Sequence, residues 1–193
     1  LQGKPFLVVT FHPVTAGMET AEEQLRELIG AMEQFPEMNY LITLANADAG
    51  GRVINRIWQE EAPAHNNWVV VPSLGSRRYL SALRYAKMIL GNSSSGIIEG
   101  PVSRIPTVNV GDRQKGRVMV DSVICCPPVR GEIAAAMSRA LTPEFQSIAQ
   151  NTHNPFGDGQ TSERIVSKLC EYLAMPERSL KKTFYDIFFE VKR

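Results

Sequence analysis

The chain has 193 residues, with 21 Lys and Arg against 20 Asp and Glu and a formal net charge of +1. That bounds it to one globular domain, or one with a small appendage, and gives no charge excess to hold nucleic acid or a membrane surface. No apolar run approaches the roughly 20 residues that span a bilayer, and an odd set of three cysteines, Cys125, Cys126 and Cys170, points to reduced core thiols rather than a disulfide framework.

Phe6–Phe11 is a continuous apolar run, as a central parallel strand requires. His12-Pro13 ends it. Met18, Leu25, Leu28, Ile29 and Met32 then share a helix face. Tyr40–Leu44 is the second strand, and Asn46–Gly51 a loop. Val53, Ile54, Ile57 and Trp58 form the next helical stripe, and Trp68–Val71 the third strand. Leu80, Leu83 and Arg84 belong to a helix leading to Met88–Leu90, the fourth strand. Ile97–Val102 reads as a short helix, Thr107–Val110 as the fifth strand, Ser122–Cys126 as a sixth, and Gly131–Leu141 as a helix. Strands alternating with helices predict right-handed βαβ units in a doubly wound, Rossmann-like parallel sheet. This domain is predicted over residues 1–175. A separate terminal helix is predicted over 176–193, after the Pro176 break, with its apolar stripe running from Leu180 to Val191 and exposed near Phe184–Val191. The first residues carry neither an initiating Met nor a signal peptide, so the chain is expected to be the carboxyl-terminal part of a longer protein.

The chemistry concentrates between Gly91 and Arg117. Gly91-Asn-Ser-Ser-Ser-Gly96 breaks a strand and opens a helix. Small residues there leave backbone N–H groups free at the positive end of the helix dipole, which suits an anion. Ser93, Ser94 and Ser95 add hydroxyl donors. The loop matches neither the Walker pattern nor Gly-x-Gly-x-x-Gly, and an ordinary N-cap loop is the alternative. Glu99 follows within two turns. A carboxylate beside a phosphate loop suits the two hydroxyls of a ribose; an ordinary dipole-complementing Glu is the alternative. Gly111-Asp-Arg-Gln-Lys-Gly-Arg117 puts three cations at a strand's carboxyl end, where open α/β sheets bind ligands.

Taken with His12-Pro-Val-Thr15, Asn46-Ala-Asp-Ala-Gly-Gly-Arg52 and Asn154-Pro-Phe-Gly-Asp-Gly159, these strings resemble the nucleotide-binding signature of the UDP-N-acetylglucosamine 2-epimerases. The resemblance runs from about Pro5 to Leu173. The Gly-Asp-Arg-Gln-Lys-Gly-Arg ending and the lack of a His-Arg-Arg-Glu-Asn string favour the hydrolysing branch, which feeds sialic acid synthesis. One departure is Gly100-Pro-Val-Ser-Arg104, where the family has a small-aromatic-Gly pattern.

The resemblance implies the carboxyl-terminal half of a two-domain GT-B-type architecture. It implies that Ser93, Ser94, Ser95 and Arg113 take the diphosphate of UDP and that Glu99 holds the ribose. Tyr79 would stack on the uracil, whose edge main-chain groups near Val71–Leu74 would read. His12 would lie beside the diphosphate and the reacting sugar, as a cation or proton donor to the departing UDP. No cofactor is expected, because the nucleotide sugar is the substrate. The carboxylates facing C2 are expected on an absent amino-terminal domain, against which the terminal helix would pack. By itself the chain would then bind UDP weakly without turnover. The full protein is expected to be a cytoplasmic homo-oligomer with no nucleic-acid or membrane partner. A non-hydrolysing epimerase, a UDP-sugar glycosyltransferase and a free-standing nucleotide-binding module are the other readings. His65 is predicted as a solvated loop residue, Arg52 as a surface or phosphate-reaching Arg, and Asn154–Gly159 as a capping turn.

Overall fold

The computed structural model describes residues 3–14, 20–176 and 187. Six strands form one parallel sheet: β1 (Phe6–Thr10), β2 (Asn39–Thr43), β3 (Trp68–Val71), β4 (Ile89–Gly91), β5 (Thr107–Val110) and β6 (Val123–Cys126). Their order across the sheet is β3-β2-β1-β4-β5-β6. The chain winds outward from β1 to β3, then returns to place β4 on the other side of β1. The order therefore reverses between β1 and β4, and that crevice is where doubly wound sheets bind their ligands.

Seven α-helices are described: α1 (Ala21–Met32), α2 (Gly51–Glu61), α3 (Gly75–Leu83), α4 (Ser94–Ser103), α5 (Arg130–Leu141), α6 (Pro143–Asn151) and α7 (Thr161–Leu173). The sheet alternation sorts them. Leu7 and Val9 point into the larger apolar cluster with Leu25, Leu28 and Met137, whereas Val8 points the other way, with Leu41, Leu83 and Ile89. Alternate residues of a strand face opposite sides, so a strand apolar at every position is covered on both. The α1 helix begins at a reciprocal cap in which Thr20 accepts from the Glu23 N–H and Glu23 accepts from the Thr20 N–H, two orphan donors satisfied at once.

The chain divides into two compact units, Leu1–Pro155 and Phe156–Arg193. The first holds all six strands and α1 to α6. In the second, Asp158 accepts from the Gln160 N–H and pairs with Arg164 as α7 begins, so the loop is a turn into that helix. Ile165, Leu169 and Leu173 lie along α7, and all three are exposed. Met18 and the stripe from Leu180 to Val191, except Ile187, lie outside the described residues.

Two expectations, on the cysteines and on His65, are corrected. Cys125 and Cys170 are exposed and Cys126 is half-buried, so the thiols are free but not core. Their places explain it, since β6 is an edge strand and α7 buries nothing. Leu80 and Leu83 lie in α3 and Arg84 caps it, as expected; Leu83 is buried with Tyr79 and Ala82 packed beside it, while Leu80 is 47% exposed. His65 is no solvated loop residue: it stacks flat on Trp68, 3.9 Å between ring centroids, with Glu33 3.7 Å from its Nε2. No element is expected at α6, where Pro143 occupies the first helical turn and its missing N–H costs nothing.

Candidate functional site

The crevice between β1 and β4 is closed by a glycine and bolted by an asparagine. Gly91 ends β4 at a φ of 131°, and a Cβ on it would lie 2.1 Å from the Thr10 carbonyl oxygen. Only glycine permits that approach. Asn92, fully buried, comes next. Its side chain accepts the His12 N–H at 2.7 Å and donates to the His12 carbonyl at 2.8 Å. Its own carbonyl accepts from Gln114 Nε2 at 2.8 Å and Arg113 Nη1 at 3.3 Å. One residue thus joins the loops after β1, β4 and β5. The sequence reading missed both Asn92 and Gln114. Asn92 stood as a small polar residue in a loop, and Gln114 as the neutral letter of a basic string. Neither pattern announces a buried amide that holds loops together.

On one side of this bolt lies a cavity of 360 Å³, bordered by His12, Tyr79, Ser93, Ser95, Glu99 and the loop Pro72–Ser76. Ser93 caps α4, its hydroxyl accepting from the Ser95 N–H at 3.3 Å. The start of α4 therefore opens here with its dipole directed at whatever occupies the cavity. Ser95 shares a hydrogen bond with the Tyr79 hydroxyl. Burial pushes the Tyr79 phenol above its ordinary pKa, which keeps it neutral. Glu99 reaches the same cavity from within α4, and its Oε2 is buried with no hydrogen-bond partner. An unpaired buried carboxylate oxygen is costly, and a ligand bringing hydroxyl donors would relieve that cost. Ser94 lines neither this cavity nor its neighbour.

On the other side lies an open cleft of 720 Å³ bordered by Pro13, Asp48, Arg113, Gln114 and Arg117. Arg113 Nη2 stands 3.8 Å from Asp48. His12 sits at the divide. Its Nδ1 accepts the Asn46 N–H at 3.2 Å, so a neutral ring carries its proton on Nε2. Burial, and then the Arg113 charge, lower the His12 pKa. The cation considered from sequence is therefore a neutral Nε2–H donor in the ligand-free site. Arg52 is exposed on α2 and borders neither space. Among the described residues no cluster of His, Cys, Asp and Glu could hold a metal ion, and no helix is long and apolar enough to cross a membrane.

The arrangement can bind an extended anion: a carboxylate at one end, a helix start and a guanidinium in the middle, and a polar cleft beyond. Residues 1–170 match the family model described as UDP-N-acetylglucosamine 2-epimerase. The chain belongs to that family. It is 32% identical over 185 residues to the polysialic acid biosynthesis protein P7 of Escherichia coli, covering 95% of this chain and 47% of that protein. It is 31% identical to the hydrolysing GDP/UDP-N,N'-diacetylbacillosamine 2-epimerase of Campylobacter jejuni, with the same coverage. The chain thus spans about half the length of the relatives it matches. The Methanocaldococcus jannaschii UDP-GlcNAc 2-epimerase, crystallised with UDP-GlcNAc and UDP, superposes with a TM-score of 0.64 at 19% identity, over 86% of this chain and 45% of that one. A UDP-forming trehalose-phosphate synthase from Burkholderia xenovorans does so at 0.56 and 14%, over 78% and 39%. The fold is thus the Rossmann-like half of the GT-B-type architecture that epimerases share with glycosyltransferases.

Proposed function

We propose that this chain is the UDP-binding domain of a hydrolysing UDP-N-acetylglucosamine 2-epimerase. The observation that carries the reading is that Glu99, which has a buried oxygen without a hydrogen-bond partner, borders a cavity that also receives the start of α4. Glu99 accepts both ribose hydroxyls, and the α4 N-terminus with Arg113 takes the diphosphate. Tyr79 and the loop Pro72–Ser76 enclose the uracil. Relatives named as hydrolysing enzymes support the finer assignment, as does the Gly111–Arg117 string.

In the proposed reaction a base removes the proton at C2, and the electron pair of that C–H bond forms the C1–C2 double bond. The C1–oxygen bond breaks, and UDP leaves with its electrons. Arg113 balances the charge gained by the departing diphosphate, and His12 donates a hydrogen bond from its Nε2–H to it. Water then adds to the 2-acetamidoglucal, oxygen to C1 and hydrogen to C2 with inverted stereochemistry, releasing N-acetylmannosamine. The base and the proton donor at C2 belong to an amino-terminal domain in this reading, so the chain alone binds without turnover.

Calorimetric titration with UDP tests the site. The 193-residue chain is expected to bind in the micromolar to millimolar range, and Glu99→Ala to weaken that by about tenfold or more, the worth of charge-assisted hydrogen bonds. Equal affinity in wild type and Glu99→Ala would sink the assignment. Product analysis on the chain joined to its amino-terminal domain separates the branches: free N-acetylmannosamine with UDP, against UDP-N-acetylmannosamine.

A further inference from the structure

We infer that Asp48 is a specificity-determining residue, the carboxylate that accepts hydrogen bonds from the hydroxyls of the sugar joined to the diphosphate. This rests on the nucleotide-sugar reading above. Along the carboxyl edge of the sheet the groups follow an order: Glu99 and Tyr79, then the α4 start, then His12 and Arg113, then the cleft that Asp48 borders. A nucleoside diphosphate sugar has the same order of ribose, diphosphate and sugar.

Asp48 is an odd residue to find there if only a nucleotide binds. A carboxylate beside a diphosphate site repels the ligand, and it draws Arg113 toward itself at 3.8 Å. A polyhydroxylated ring gives it a purpose. Its Oδ2 is already taken by Asn46 Nδ2 at 2.8 Å, which fixes the side chain, while among the described residues no hydrogen bond reaches Oδ1. A second observation points the same way. Gln114 borders the cleft, is 1% exposed, and has an Oε1 with no partner. Ring hydroxyls supply the donor that the exposed Asp48 Oδ1 lacks. Asp112 is a poorer choice, because its side chain is 81% exposed and faces Lys115 at 3.5 Å.

The test compares two ligands on one protein. The 193-residue chain and its Asp48→Asn and Asp48→Ala variants are titrated with UDP and with UDP-N-acetylglucosamine. Wild type should bind the nucleotide sugar more tightly than UDP. In Asp48→Asn the affinity for UDP should hold or rise, because a negative charge has gone. The advantage of the nucleotide sugar over UDP should shrink by about tenfold, as for one lost charge-assisted hydrogen bond. Asp48 is more than half exposed, and an unchanged melting temperature checks that the variants fold. A ratio of affinities unmoved by either substitution overturns the inference, as does a wild type for which the sugar adds nothing. Failure of the wild type to bind UDP strikes the underlying nucleotide reading instead, and the inference falls with it.

Discussion

Asn92 makes a hydrogen bond with every polar atom of its side chain and with its carbonyl, and none of those partners is itself a free side chain in water. Removing it leaves the His12 N–H and carbonyl unpaired in the interior. Asn92→Ala is expected to cost about 2–4 kcal/mol of stability, read as a shift in the urea midpoint, because each orphaned buried group carries a desolvation penalty. UDP affinity should fall with it, since His12 and Arg113 lose a common support. His12 offers a sharper readout. Its pKa lies below the ordinary value for a histidine because of burial and Arg113. For stability the sign is fixed: the unfolded chain protonates first as pH falls, so the folded state loses stability from pH about 6.5 down through the lowered pKa, and regains none below it. A bound diphosphate reverses the local field and raises that pKa. UDP binding near pH 6 should therefore take up protons, seen as a dependence of the calorimetric heat on the buffer's ionisation enthalpy. His12→Asn should reduce that uptake; an undiminished uptake would place the proton elsewhere. Residue types were legible here where chemistry picks them out, as with Glu99 and His12. Asn92 was not, because its role depends on the convergence of three loops distant in sequence.

The α4 helix shows what an element inherits from a small departure in sequence. Its first turn serves the site, while its body lies close on the sheet: a Cβ at Gly96 would come within 2.5 Å of the Thr107 methyl, and one at Gly100 within 2.6 Å of the Thr107 hydroxyl. Gly100→Ala should therefore destabilise the fold and push Glu99 out of place. The helix ends at Arg104, whose φ of 57° is left-handed, and no other described non-glycine residue has a positive φ. This is the departing stretch Gly100–Arg104, and the position is one that helices usually give to glycine. Left-handed backbone costs a residue with a Cβ about 1–2 kcal/mol, partly offset by the greater freedom of glycine when unfolded. Arg104→Gly is expected to add about 0.5–1 kcal/mol, a rise of roughly 1–4 °C in melting temperature for a chain of this size. A melting temperature that falls would show that the Arg104 side chain contributes more than its backbone costs. The order of elements was legible because the strands are short, mostly apolar runs and each early helix carries one stripe. The short α3 fully buries only Leu83, so Leu80 lies in the helix as expected yet faces outward.

At the scale of the molecule the aromatic core and the site lie at opposite ends of the strands. Trp68 opens β3, and its ring meets Trp58 edge-on at 5.8 Å and Tyr40 at 6.0 Å, with His65 stacked over it. Trp58 is fully buried and Trp68 nearly so. The chain's two tryptophans thus sit in the apolar cluster beneath α1 and α2, away from the carboxyl edge where His12, Asn92 and Glu99 gather. They report whether the sheet is intact and not what is bound at its edge. Saturating UDP should leave the native emission spectrum unchanged. It should still delay the red shift of thermal unfolding, because a ligand that binds only the folded state stabilises by mass action, by about 2.7 kcal/mol at a hundred times its dissociation constant. That corresponds to a midpoint rise of roughly 5–11 °C. A quench of native emission on adding UDP would mean that the nucleotide binds near Trp68 at the amino edge. The topological switch point would then be an ordinary seam of the fold, and Glu99 an unsatisfied carboxylate with no ligand to explain it.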